Sequence, residues 1–417
     1  MLPLARSAAV APSLVDTAQS NRRAGPLPRP NDGSMRIAVD LMSLGYDGSG
    51  SATYPYEILP RLAASREQFY VLLTKGVGFQ LRDHVADKLQ IIDLPSGTSN
   101  PYYRAFYQRY RLPRWLRREK IDVLFVPGGL TATIRRRGDR FRTVVMLRNM
   151  LPFDVHQQGL FPFSRYPYRR VRYLLLSRGL IHSFRSADRI VFISEYSKHV
   201  VGPRCNNTSS LVIRHGVGDS FRTTFPCSDG LCDRYRIRKP FLLYVSTIQP
   251  YKHQIEILDG FHRYCMAEPR TENLQLVLAG PNHGQYASRV KVAAGKLKER
   301  VVCTGAVPRE DIPRLLAQAD ILLFGSTCET CPNLLLEYLA AGRPIVCSNS
   351  DPMPEFGGDA VRYVDATDPQ AWCDSIHDLQ SNQLMKQKRG VRARQRSELF
   401  SWDESARKTL AALTDWP

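Results

Sequence analysis

Short, largely apolar runs recur along this chain in two series, and nothing else constrains its fold as tightly. The first series is Met35–Leu41, Tyr70–Leu73, Gln90–Ile92, Asp122–Val126, Thr143–Leu147 and Arg189–Ile193. The second is Phe241–Val245, Leu274–Leu278, Val301–Cys303, Ile321–Phe324 and Pro344–Val346. Runs without apolar–polar alternation suit strands covered on both faces, as in parallel sheets. Helical stretches lie between them, which makes the pattern α/β. At 417 residues the chain exceeds what one core supports, so two domains are expected. The expected boundaries are 35–220 and 241–400, joined by a linker at 221–240, where Gly, Pro, Cys, Asp and Arg occur without periodicity. Residues 401–417 then form a terminal helix. Residues 1–34 read as a mobile basic tail, and Met35, directly before the first strand, is a candidate start.

Composition closes off several classes. The chain is 43% hydrophobic, which excludes a disordered protein, and it contains no run of 18 apolar residues that would span a bilayer. Nine unevenly spaced cysteines do not read as a disulfide framework, so a cytoplasmic protein is expected. Cys328 and Cys331 form a lone Cys-x-x-Cys, with no second pair at zinc-ribbon spacing; they read as small apolar residues lining a loop. The net charge of +19 is confined to one region: residues 100–240 hold 28 Lys and Arg against 9 Asp and Glu. Solubility alone would not require that localisation.

The most specific stretch for chemistry runs from Cys328 to Pro344, where Glu329 and Glu337 stand eight positions apart. Pro332 suits the first turn of a helix, and Gly342 followed by Pro344 ends it. Glu329 therefore lies on the loop entering a helix, and Glu337 between one and two turns inside. The loop follows the Asp320–Phe324 strand, and the C-terminal ends of strands are where open α/β sheets bind ligands. Free N–H groups at the helix terminus favour phosphate or polarised sugar oxygens. Glu329 is then suited to a sugar hydroxyl and Glu337 to a ribose.

This stretch resembles the Glu-x7-Glu signature of the retaining glycosyltransferases of family 4, and the resemblance extends from about Met35 to about Trp402. It implies the GT-B fold, two Rossmann-like domains facing a cleft, with the last helix crossing back onto the first domain. It implies that Glu329 contacts the donor sugar and is the catalytic candidate, and that Glu337 contacts the nucleotide ribose. Thr330, Cys331, Asn333 and Leu334, between the two glutamates, join the donor-binding set. The loop Val245–Lys252 would hold the donor diphosphate. The family commonly has an Arg where Thr247 stands, so Ser246, Thr247, Lys252 and backbone amides carry that task here. Gly280 would let the nucleotide approach, and Thr304–Gly305 would flank its base. On the first domain, Gly48, Ser49 and Gly50 would cover the diphosphate and shape the acceptor pocket. Asn149 stands where many relatives have His-Asp; it offers a hydrogen bond but no proton shuttle. His215 is read as a structural histidine.

The resemblance implies transfer with retention through an oxocarbenium-like state, the leaving phosphate helping to deprotonate the acceptor. No Asp-x-Asp occurs, so neither a metal nor a resident cofactor is called for; the nucleotide sugar (UDP-, GDP- or dTDP-linked) is a co-substrate. The acceptor is expected to be a glycan or a lipid-linked glycan, in polysaccharide or cell-envelope biosynthesis. Arginines interleaved with aromatics in Tyr102–Arg118 and Phe163–Arg185 suit an interfacial helix on anionic lipid, which would place the protein peripherally on the inner face of the cell membrane. The rival for this region is nucleic-acid binding, against which stands the absence of any recognisable module. A nucleotide-sugar epimerase of similar fold is the rival reaction.

Overall fold

A computed structural model describes residues 33–43, 52–76, 81, 89–160, 167–206, 209–223, 225, 230–268, 273–281 and 284–416. Gly48, Ser49, Gly50 and residues 1–32 lie outside these. Among the described residues, thirteen strands form two sheets, and every pairing in both is parallel.

The first sheet is built from β1 (Arg36–Asp40), β2 (Gln68–Thr74), β3 (Gln90–Leu94), β4 (Val123–Val126), β5 (Arg142–Leu147), β6 (Arg189–Phe192) and β7 (Ser210–Val212), in the order β3-β2-β1-β4-β5-β6-β7. The second comprises β8 (Phe241–Val245), β9 (Gln275–Ala279), β10 (Val301–Gly305), β11 (Ile321–Phe324), β12 (Ile345–Ser348) and β13 (Arg362–Val364), in the order β10-β9-β8-β11-β12-β13. Each sheet thus winds outward from its first strand and reverses once, between β1 and β4 in the first and between β8 and β11 in the second. Such reversals open a crevice beyond the carboxyl ends of the two central strands.

The central strands are buried along their whole length, as their largely apolar runs require. The two strands that no apolar run announces, β7 and β13, are three-residue edge strands and only partly buried. A strand open to solvent on one side carries too weak a hydrophobic pattern to stand out.

The Trp402–Thr414 helix begins at a Ser401 cap, whose hydroxyl accepts from the N–H groups of Asp403 and Glu404. It packs on the Thr53–Leu62 helix of the first half, where Tyr54 and Thr409 hydroxyls meet at 3.4 Å and Arg61 pairs with Asp403 at 2.6 Å. Arg189, on β6, donates to the carbonyls of Ala412 and Asp415 and lies 4.2 Å from the Trp416 ring centre. Gly216 abuts the Trp402 backbone so closely that a Cβ there would collide with its nitrogen. That contact explains a glycine at a position where conformation alone would not demand one.

Candidate active site

The two switch points face one another across a cleft of about 570 Å³. The first half contributes the ends of β1 (Leu41, Ser43), β4 (Pro127, Gly128) and β5 (Arg148 to Leu151). The second contributes Tyr251 and Lys252 after β8, and Cys328 to Cys331, Asn333 and Leu334 after β11.

Lys252 and Glu329, on the loops flanking the second switch point, form an ion pair at 2.5 Å. Burial pulls the Lys252 ammonium down, but the carboxylate of Glu329 and the adjoining Tyr251 outweigh it and leave its pKa above lysine's ordinary value. The lysine is therefore a fixed cation throughout the neutral range. The two loops are tied together beneath the pair. The Thr327 N–H donates to the Tyr251 carbonyl, and His253 Nε2 donates to the Thr327 hydroxyl at 3.1 Å. Thr327 in turn donates to Gln157 Oε1 at 2.7 Å, a bond from the second half to the first.

The helix beyond this loop is Asn333–Ala341, so Pro332 is its cap residue and lies just outside the first turn. Gly342 ends it in a left-handed conformation, φ 67°. Asn333 and Leu334 bring the helix N-terminus to the cleft wall. The Asn333 side chain is already engaged: its Oδ1 accepts from His215 Nδ1 at 2.9 Å. His215 packs against both the Tyr54 and Trp402 rings, each centre 5.1 Å away. Burial and the Arg148 charge hold its pKa down at about 3, against the smaller opposing effect of Asn333. It is a neutral ring that packs the halves together.

Several expected site residues are positioned differently. Glu337 does not line the cleft; it is 5% exposed, with Oε1 3.3 Å from Arg309 Nη2 and Oε2 without a hydrogen-bond partner among the described residues. Burial pushes its carboxyl up to about 7, more than Arg309 brings it down. Ser246 is buried, and its hydroxyl accepts from Gln254 Nε2, so the side chain is committed internally. Thr247 is exposed and outside the cleft lining; its carbonyl accepts from the same Gln254 amide. Gly280 abuts the Ser246 carbonyl, where any Cβ would collide, so its smallness serves strand-end packing. Gly305 has φ +73° and open space where a Cβ would project. Asn149 does line the cleft, with its Oδ1 accepting from the Leu151 N–H in a local turn. Thr330 and Cys331 are buried in the cleft wall, and burial pushes the thiols of Cys328 and Cys331 well up, which keeps them protonated.

Two contributors were not singled out from the sequence. Arg148 lines the cleft with its guanidinium 5.1 Å from the Tyr54 ring centre; burial lowers its pKa to about 10, so it stays charged at neutral pH. An arginine directly after a buried strand was the available signal. Glu355, from the second half, accepts from the Glu195 and Tyr196 N–H groups at 3.0 and 3.2 Å and from Arg214 Nε at 2.9 Å, and so clasps the first half. Nothing local in the sequence marks it.

Known proteins carry the same architecture. Residues 48–220 match the family described as Glycosyltransferase Family 4, and residues 235–396 match Glycosyl transferases group 1. The O-antigen chain mannosyltransferase B of Escherichia coli is 26% identical over 407 residues, 91% of this chain and 99% of that one. A GDP-mannose-dependent alpha-(1-6)-phosphatidylinositol monomannoside mannosyltransferase of Mycolicibacterium smegmatis is 26% identical, over 66% of this chain and 71% of its own. The sucrose-phosphate synthase of Thermosynechococcus elongatus superposes with a TM-score of 0.70 at 13% identity, covering 91% of this chain and 98% of that one. HepE of Anabaena, solved with UDP and glucose, gives 0.67 at 15% identity, covering 92% and 100%. At such low identity these two structures speak to the fold. The two family matches follow one another along the chain, one on each half, and together they make it a glycosyltransferase of the family 4 type, with the GT-B fold.

Proposed function

We propose that the protein transfers a hexose from a nucleotide diphosphate sugar to a glycan or lipid-linked acceptor, with retention at the anomeric carbon. The observation that carries this reading is the Lys252–Glu329 pair at the second switch point, beside a helix N-terminus. A fixed ammonium and a row of helix amides favour a diphosphate, and the field that holds the diphosphate also stabilises it as a leaving group. When the donor enters, Lys252 turns its charge toward phosphate, and Glu329 accepts hydrogen bonds from sugar hydroxyls. Glu337, whose Oε2 has no hydrogen-bond partner among the described residues, is suited to accept from a ribose. His215, its pKa held down at about 3, takes up no proton near neutrality, which leaves the departing phosphate to take the acceptor's proton. Arg148 adds positive charge from the acceptor side. The relatives named for mannosyl transfer make GDP-mannose the first donor to test.

An anionic membrane surface is the proposed site of action. The Pro167–Ser186 helix contains five arginines and no acidic residue. Leu180, Ser183 and Phe184 are buried, while Tyr168, Val171, Leu174 and Leu175 stand exposed on the other side. An exposed apolar face flanked by arginines suits the lipid interface.

The test is turnover of GDP-mannose and UDP-hexoses with wild type and Glu329→Gln, which leaves Lys252 an acceptor. Loss of transfer by at least 100-fold with an unchanged melting profile is expected; near-normal turnover would remove Glu329 from the chemistry. The anomeric configuration of the product by NMR decides retention.

A further inference from the structure

Among the cavities outside the cleft, one of about 480 Å³ opens on the first half. Its lining is Pro95, Tyr103, Tyr107, Trp115 and the arginines Arg111, Arg114 and Arg118. The chain segment that forms it has an unusual local geometry. The Pro101–Phe106 helix widens into a π-helical turn over Tyr107–Arg111 before resuming as Leu112–Arg118. Pro113 lacks the N–H that would bond to the Arg109 carbonyl, and its ring crowds that carbonyl, so the turn upstream of it must open. An α-helix advances a residue four positions on by about 40° past a full turn, whereas a π turn falls short of one. Mixing the two keeps Tyr103, Tyr107, Arg111 and Arg114 along one side, and this alignment builds the cavity.

Its charge is compensated only in part, at Arg118. The segment 101–118 contains six arginines and no acidic residue. Arg118 pairs with Glu119 and Arg117 with Asp139, but Arg111 and Arg114 have no carboxylate partner among the described residues. Beside the cavity runs an exposed aromatic ladder: Tyr103 to Phe106 at 6.2 Å and Phe106 to Tyr110 at 5.2 Å, with Tyr102 85% exposed next to it. Water is a poor environment for four adjacent aromatic rings, whereas the headgroup level of a bilayer suits rings with one polar end.

The segment is also anchored to the cleft's own wall. Gln108 Oε1 accepts from the Ala132 N–H, and Ser183 of the arginine-rich helix bonds both ways with Thr131. Both basic elements therefore rest on the loop that follows β4 and supplies Gly128 to the cleft.

We infer that the cavity between Tyr103, Tyr107, Arg111 and Arg114 is a binding site for the phosphate of an anionic phospholipid headgroup, with the Tyr102–Tyr110 aromatics seated at the bilayer interface beside it. The inference rests on the membrane reading above and gives it an address. A membrane phospholipid is the occupant, because a free phosphate would leave the exposed aromatic ladder unexplained.

The test is co-flotation of the full chain with vesicles of phosphatidylcholine, with and without phosphatidylglycerol. Wild type should float only with the phosphatidylglycerol vesicles. The Arg111→Gln/Arg114→Gln variant should partition on the order of tenfold or more weakly, while Arg136→Gln/Arg137→Gln, an equal charge change on an exposed loop, should stay close to wild type. Soluble dihexanoyl-phosphatidylglycerol should protect the protein in a thermal shift, and inorganic phosphate should not. Equal loss in the two double variants would mean diffuse attraction and overturn the site. Protection by inorganic phosphate alone would also overturn it, as would tighter binding to single-stranded RNA that the Arg111/Arg114 change abolishes. None of these measurements needs turnover, and stabilisation by nucleotide sugars, read separately on the same variants, reports whether the donor cleft stands.

Discussion

Replacing Glu337 with Gln should stabilise the empty protein while weakening its grip on nucleotide, and the size of both effects follows from the carboxylate's surroundings. The side chain is almost wholly buried, one oxygen has no hydrogen-bond partner among the described residues, and its pKa rises from 4.5 to about 7. The folded state therefore holds a proton that the unfolded chain releases between pH 4.5 and 7. Stability from this group is fully present below pH 4.5, declines as pH rises, and is gone above about pH 7. At ~1.36 kcal/mol per pH unit, ionised Glu337 costs roughly 3 kcal/mol at pH 8. Gln removes that cost but leaves an amide N–H without an acceptor, about 1 kcal/mol, for a net gain near 2 kcal/mol. With ~2.1 cal/mol/K of unfolding entropy per residue, the melting midpoint at pH 8 should rise by about 2 °C if the chain unfolds as one unit, and by about 5 °C if the second half unfolds alone. The assay is differential scanning fluorimetry of both proteins from pH 4.5 to 8.5. The gap should open between pH 4.5 and 7 and then level off. Loss of a charged acceptor for ribose hydroxyls should meanwhile weaken nucleotide binding by about 10- to 100-fold in calorimetry. A midpoint difference that is flat with pH would refute the argument from burial, and unchanged nucleotide affinity would refute the ribose role.

Other outcomes follow from single contacts. Glu355→Ala removes an acceptor shared by two backbone N–H groups and Arg214, and should cost about 2–3 kcal/mol; small-angle scattering should register looser halves, and an unchanged profile would demote the clasp. Gly216→Ala drives a methyl into the Trp402 backbone and should destabilise by more than ~3 kcal/mol in urea unfolding, whereas Gly159→Ala, with open space at its Cβ, should stay within about 0.5 kcal/mol. His215→Gln should leave the pH dependence of transfer unchanged between pH 5 and 9, because a ring with a pKa of about 3 does not titrate there; a lost limb would contradict its neutral packing role.

The two parallel sheets were legible because a strand buried on both faces must be largely apolar, and the chain writes that requirement in eleven runs. Only β7 and β13, short and at the edges, escaped notice. The pairing of Lys252 with Glu329 was half legible. Each stood after a strand, where α/β sheets bind ligands, but 77 residues separate them and only the β8–β11 neighbourhood brings them within reach. Spacing along a helix could not say that Glu337 is buried against Arg309 or that Ser246 is held by Gln254, since those partners come from other elements. The arginine-rich helix was blurred for a related reason: it is apolar on two sides, one facing the core and one facing solvent, and two faces cancel in a periodicity. Local sequence thus determined most of the strands, the helix that follows the Glu329 loop and the place of the positive charge, because these depend on near neighbours. Tertiary structure alone decided which carboxylate faces the cleft, which is shielded from water, and which side chains clasp the halves, because burial and Coulomb attraction depend on distance in space and not on separation along the chain.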